Sequence, residues 1–173
     1  FVNVSDIGRD AFRAAQQVFG RLHGGLGVAT VAANAVFAAI TGISIAAAGL
    51  VGDLAGSMAD VPFLSHFERA ITITDEYPYQ EIVGYLARYR DRFDTVMNTL
   101  SYFDGVSFAA RSKAPTLYSV ALMDEVCPPS TVFASFNAHA GEKQISIYAF
   151  NGHEGGGEFH EIDKLGWLGR LFA

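Results

Sequence analysis

The hydrophobic and polar positions form two patterns along the chain, and one gives way to the other near residue 53. From Gly24 to Gly52 there is no charged residue, and Ala, Gly, Val and Ile predominate. From Asp53 onward, apolar and polar residues alternate as in an ordinary globular protein. The uncharged run exceeds the roughly 20 residues that cross a bilayer. It predicts a buried or poorly packed helix, which we favour, or a membrane span.

The second pattern predicts alternating strands and helices. Three segments have the pattern of strands: 57–62 is short, apolar and ended by proline, 116–122 follows Pro115, and 144–150 alternates cleanly. Apolar residues at helical spacing indicate helices at 9–19, 63–74, 79–89, 92–110 (broken near Asp104–Gly105), 129–140 and 159–171. After residue 55 this order favours an α/β fold with a parallel sheet and helices on its faces.

Two titratable residues follow neighbouring predicted strands. Asp124 comes after the second strand, and His153 lies in a Gly-His-Glu turn after the third. Functional groups collect at the carboxyl edge of parallel sheets, and an α/β-hydrolase supplies the last two members of its Ser…Asp…His triad in this chain order. The pattern therefore predicts His153 as general base and Asp124 as its orienting carboxylate. A turn histidine and a helix-capping aspartate are the alternative.

Four segments carry a family resemblance: 58–67, 99–104, 123–133 and 151–154. In this order they resemble the acetyl xylan esterases and cephalosporin C deacetylases, an α/β-hydrolase group of carbohydrate esterases, from about Ile43 to the C-terminus. The resemblance implies the C-terminal part of that fold and a serine carboxylesterase acting on acetylated xylo-oligosaccharides and small acetyl esters such as cephalosporin C. It also implies a homo-oligomer, with Pro62 and Val126 lining an acyl pocket. Packing at the sheet edge is the other interpretation of those two residues.

The nucleophile of that family is missing. The family carries a Gly-x-Ser-Gln-Gly-Gly turn, and its register places the serine at Ala38 and the glutamine at Ala39. Ser44 is a weak substitute, because its neighbours Ile43 and Ile45 are too large for a strained nucleophile turn. We therefore expect the chain to be inactive as written.

The first 45 residues resemble a different family. Segments 10–17, 19–27 and 33–44 are similar to the large membrane subunit of TRAP-type dicarboxylate transporters. The sequence thus predicts a helical, transporter-like segment at 1–45 and an esterase portion at 46–173. A non-catalytic chimeric or membrane-associated fragment is the alternative function.

Net charge and cysteine content indicate which partners and which cell compartment to expect. A net charge of -6 gives no basic stripe for nucleic acid, so no nucleic-acid partner is expected. The family resemblance implies a small acetylated saccharide or ester as the partner. The single cysteine, Cys127, fits a reducing compartment and hence the cytoplasm, with membrane association through 24–52 as the alternative. We interpret Cys127 as a buried structural thiol. His66, His139 and His160 share no metal-ligand spacing, so neither metal nor cofactor is expected.

Overall fold

A three-stranded parallel sheet forms the centre of the part of the chain that the structure describes. The computed structural model describes residues 44–50 and 54–173, and within them β1 (Ser57–Asp60), β2 (Thr116–Ala121) and β3 (Lys143–Tyr148) pair in the order β1-β2-β3. Asp60 lies opposite Ser119, and Ala121 lies opposite Tyr148. Helices flank this sheet, so the predicted α/β class with about three parallel strands is confirmed.

The flanking helices follow the predicted order. In the described part of the chain they are α1 (Ser44–Leu50), α2 (Phe67–Ile73), α3 (Tyr79–Arg88), α4 (Phe93–Ser101), α5 (Gly105–Ala109), α6 (Pro129–Ala138) and α7 (Gly157–Leu171). A short 3₁₀ turn at Arg90–Arg92 precedes α4. Helix α1 packs against β1 and α5, whereas α6 and α7 pack against β2.

The middle strand β2 is buried along its whole length, as expected for a strand between two parallel neighbours. Tyr118 and Val120 are fully buried, and burial of each side chain of this size contributes about 1.5–3 kcal/mol. The Tyr118 and Phe136 rings pack in a T-shaped arrangement, and the Tyr118 hydroxyl lies 3.2 Å from Nδ1 of His139. His139 is therefore a satisfied core histidine that ties α6 to the sheet.

The helix predicted at 63–74 begins only at Phe67, so the prediction is wrong over its first turn. Residues 61–66 instead form an irregular strap in which Val61, Leu64 and His66 have φ angles of 36°, 54° and 52°. Side chains of L-residues disfavour this left-handed region. The apolar spacing arises because Phe63 and Phe67 pack into the core, where both rings contact the buried Tyr79. The helical spacing of these apolar residues therefore reflects contacts with the core and not a helix.

The carboxylate of Asp104 binds the strap and caps the first turns of two helices. It accepts the backbone N–H groups of His66 at 2.8 Å, Phe67 at 2.9 Å and Val106 at 2.9 Å. It is thus the N-cap of α5 and also satisfies the first free donors of α2. The predicted break at Asp104–Gly105 coincides with this cap. One carboxylate therefore joins segments that are far apart in sequence.

We expect Asp104→Ala to lower the free energy of unfolding by about 2–3 kcal/mol, since three N–H groups lose their acceptor at about 1 kcal/mol each. Urea denaturation followed by circular dichroism measures the change. Asp94→Ala, an exposed aspartate in the first turn of α4, is the control, with an expected loss below about 1 kcal/mol. Equal losses in the two variants would contradict the capping role of Asp104.

Several predictions concern residues outside the described part of the chain. These are the helix at 9–19, the transporter-like segment, the register positions Ala38 and Ala39, and most of the uncharged run. Among the described residues, no helix is long and apolar enough to cross a membrane. Helix α1 continues across the predicted boundary between residues 45 and 46, and the division at that point stays a prediction.

Candidate active site

The loop after β2 buries the carboxylate of Asp124. Oδ1 accepts the backbone N–H groups of Val126 and Cys127, both at 2.8 Å, and the Asp124 N–H donates to the carbonyl of Ala121 at 3.3 Å. The side chain has no solvent exposure. Helix α6 starts directly after this turn, with proline in its first turn. The loop conformation is thus set by the need to satisfy a buried carboxylate.

A second loop, after β3, presents His153. The Asn151 carbonyl accepts the Met123 N–H at 3.1 Å, which joins this loop to the Asp124 loop. The Asn151 amide donates to Oε1 of Glu154 at 2.9 Å, and the Gly155 N–H closes the turn on Gly152 at 3.1 Å. The bond from Asn151 is the main cause that lowers the pKa of the Glu154 carboxyl. His153 therefore stands on a braced turn.

Glycine is required where this turn enters α7. Gly155 and Gly156 have φ angles of 61° and 95°, in the region that glycine tolerates best. A Cβ on Gly156 would lie 2.5 Å from the Tyr148 ring, and one on Gly155 would lie 3.1 Å from the Val61 side chain. A side chain at position 156 would collide with the Tyr148 ring, and one at position 155 would require the Val61 side chain to shift; the positive φ angles disfavour both.

The two loops bring Nδ1 of His153 to 3.1 Å from Oδ2 of Asp124. Because an ionised carboxylate only accepts hydrogen bonds, Nδ1 carries the proton and donates it, which leaves the lone pair of Nε2 free. The histidine side chain is 51% exposed while the aspartate is fully buried. This arrangement suits a general base that takes a proton at the surface and is oriented from below.

The other predicted site residues have different surroundings. Pro62 is buried in the strap, and Val126 is half-buried against a core cluster that contains Val61 and Cys127. Their role in an acyl pocket remains a prediction. Ser44 is the first described residue of α1, and its side chain lies outside the described part of the structure.

Cys127 is buried, as the sequence predicts for a structural thiol. Burial, with a smaller contribution from the nearby Asp124 charge, raises the pKa of this thiol. A neutral, buried sulfur is a poor nucleophile. The sulfur nevertheless lies beside the Asp124–His153 pair, a proximity that residue spacing along the chain does not reveal.

A second His–Asp pair, not found from the sequence, lies at the same sheet edge. Asp60, the last residue of β1, binds Nε2 of His160 at 2.8 Å and Nζ of Lys164 at 2.8 Å. The His160 side chain is 3% exposed, and Nδ1 lies 3.0 Å from the Tyr148 hydroxyl. The i, i+4 spacing of His160 and Lys164 on α7, with an aspartate at a strand end, is the signal that could have indicated it. This pair fastens α7 to the sheet.

This cluster predicts a pH-dependent contribution to stability. Partial burial raises the pKa of Asp60, but hydrogen bonds from His160 and Lys164 outweigh it and leave the pKa below its usual value of 3.8. A lowered folded-state pKa contributes stability above the unfolded value, and that contribution is lost as pH falls through the folded value. Asp60→Asn should therefore destabilise the protein at neutral pH, by about 1 kcal/mol or less because solvent screens a carboxylate that is 41% exposed.

The free energy of unfolding of the unmodified protein and of Asp60→Asn is measured by urea denaturation at neutral pH and at several values down to pH 3. The difference in free energy of unfolding between the two proteins should become smaller once the pH drops below 3.8. Asp91→Asn, which removes an exposed pair with the adjacent Arg92, is the control and should have little effect at any pH. A destabilisation by Asp60→Asn that does not vary with pH would contradict this electrostatic account.

The parallel sheet, with an aspartate after its middle strand and a hydrogen-bonded histidine after the next, defines an α/β-hydrolase arrangement. A family model described as acetyl xylan esterase (AXE1) matches residues 36–171. The chain belongs to the acetyl xylan esterase family. Because the match begins at residue 36, it includes Ala38 and part of the segment assigned from sequence to a transporter-like region.

Individual relatives agree with this assignment. An acetyl xylan esterase from Paenibacillus sp. R4 is 34% identical, with a TM-score of 0.70 over 95% of this chain and 52% of that protein. Acetyl xylan esterase 1 from Thermoanaerobacterium sp. JW/SL YS485 is 34% identical, with a TM-score of 0.67 over 75% of this chain and 42% of that protein. The acetyl esterase Axe7A of Xylanibacter ruminicola is 33% identical over 72 residues, 42% of this chain and 16% of that protein. The chain spans about half, or less, of the length of these relatives.

Proposed function

We propose that this chain supplies the base half of a serine carboxylesterase that removes acetyl groups from acetylated xylo-oligosaccharides and small acetyl esters such as cephalosporin C. In this role Nε2 of His153 takes the proton of a serine hydroxyl and returns it to the leaving alcohol. Asp124 holds the imidazole in the required tautomer and stabilises the imidazolium that forms. Family membership and the 3.1 Å Asp124–His153 hydrogen bond support the proposal.

In this proposal, the chain itself does not contain the serine nucleophile of the esterase. The position that the family register gives to the serine is Ala38, and the residue that should follow it as glutamine is Ala39. Without a serine hydroxyl, no acyl-enzyme forms, so the Asp–His pair has no proton to take. We therefore expect the chain to carry a competent acid–base pair and yet to hydrolyse no ester by itself.

A hybrid protein tests whether the Asp124–His153 pair can act in catalysis. Residues 44–173 would replace the corresponding C-terminal part of the Paenibacillus sp. R4 esterase, which keeps the remaining half of its own chain. We expect this graft to hydrolyse p-nitrophenyl acetate. In the graft, His153→Asn and Asp124→Asn should each lower kcat by roughly 10³-fold or more, because each removes a member of a triad that acts as a unit.

Three controls make the result interpretable. His66→Asn removes another exposed histidine, at a φ angle that asparagine accepts, and should leave kcat unchanged. Alanine in place of the host's nucleophile should abolish turnover. The present chain alone should hydrolyse the ester no faster than its His153→Asn variant. A folded graft without activity, or with activity independent of His153, would contradict the proposal.

Homo-oligomerisation, which the family resemblance implies, is also part of the proposal. Helix α7 supports it with an exposed apolar face, on which Phe159, Ile162 and Leu165 are 78%, 66% and 70% exposed. Exposed apolar surface of this kind marks sites of association.

A further inference from the structure

Three potential metal ligands converge in the loops after β2 and β3. One ligand atom from each of Asp124, Cys127 and His153 lies within 4.8 Å of the other two. The positions are fixed by backbone bonds, since Cys127 donates its N–H to Asp124 and the His153 loop is joined to Met123. These backbone bonds therefore hold the two loops that carry the three side chains next to each other.

The chemistry of these groups favours a borderline-soft divalent cation. Thiolate sulfur and imidazole nitrogen are the ligands that Zn²⁺ prefers, and a carboxylate oxygen is its usual third kind of ligand. Hard cations require six or more oxygen ligands for Ca²⁺ and an octahedral shell for Mg²⁺. A single buried carboxylate beside sulfur and nitrogen does not provide either, so the site discriminates against both.

Charge and access also fit such a cation. When a divalent cation binds, it neutralises the charge of Asp124 and the charge that Cys127 acquires as its thiol loses a proton. His153 is half-exposed, so a cation enters from its side and keeps an open position for water.

We propose that Cys127 Sγ, Nδ1 of His153 and a carboxylate oxygen of Asp124 form a site for Zn²⁺ or a cation of the same class. On binding, the thiol releases one proton to solvent. The imidazole loses the proton on Nδ1 and gains one on Nε2, so it stays neutral while the cation takes the place of the shared proton. Metal binding and the Asp124–His153 hydrogen bond are then mutually exclusive.

This exclusion has a consequence for the general base. Once Nε2 carries the proton, it has no lone pair with which to accept another. The metal therefore converts the pair from a base into a ligand set. The site extends beyond the proposed esterase role and its metal affinity does not rest on that role, because it requires neither a nucleophile nor turnover.

Cobalt titration of the full chain tests the site, since Co²⁺ occupies Zn²⁺ sites and a thiolate ligand gives an intense near-ultraviolet charge-transfer absorption. We expect this absorption to saturate at one equivalent and to disappear when Zn²⁺, but not Mg²⁺, is added. Cys127→Ala should abolish it, as Cys127 is the only cysteine in the chain. His153→Gln should weaken cobalt binding by at least about tenfold.

His66→Asn is the matched control and should bind cobalt like the unmodified chain. Circular dichroism verifies the fold of each variant, and His153→Gln, at a half-exposed side chain, tests the site even if Cys127→Ala does not fold. The proposal is overturned if no charge-transfer absorption develops, or if it survives His153→Gln unchanged, which would indicate a simple thiol adduct.

Discussion

The buried carboxylate of Asp124 is the constraint on which the site is built. An ionised carboxylate removed from water costs several kcal/mol unless hydrogen bonds replace its hydration. Two backbone N–H groups meet Oδ1, and His153 meets Oδ2. To deliver them, the chain turns sharply after β2, starts α6 at a proline and places the β3 loop alongside. Much of the local structure is thus a consequence of satisfying one charge.

The sheet makes that arrangement possible. Because its strands are parallel, Asp60 at the end of β1, Asp124 after β2 and His153 after β3 all lie at one edge, although they are far apart in the sequence. The same edge holds two His–Asp pairs with opposite surroundings. His160 is buried and fastens α7 through Asp60, whereas His153 is exposed above a buried aspartate. Exposure of the imidazole distinguishes the two pairs: the His153 ring is accessible to solvent, whereas the His160 ring is held inside the fold.

Sequence reasoning identifies the features that depend on local pattern. Strand and helix periodicity predicted the α/β class, and the order of linked motifs predicted the family and the Asp124–His153 pair. Apart from that pair, the contacts that depend on how loops pack against each other were not predicted. The strap at 61–66 imitates a helix because Phe63 packs into the core, and the Asn151 carbonyl acts on a loop 28 residues earlier in the chain. The thiol of Cys127 approaches His153 only because two loops meet, so no ligand spacing was visible.

The central claim is that Asp124 holds His153 as an Nδ1–H tautomer with a free Nε2, ready to act as a base. Nitrogen-15 NMR of the imidazole in the intact chain, above the pH at which the ring is protonated, tests this directly. The account predicts a protonated Nδ1 and an unprotonated Nε2 for His153, and loss of that preference in Asp124→Asn. A predominant Nε2–H tautomer, unchanged by Asp124→Asn, would contradict it.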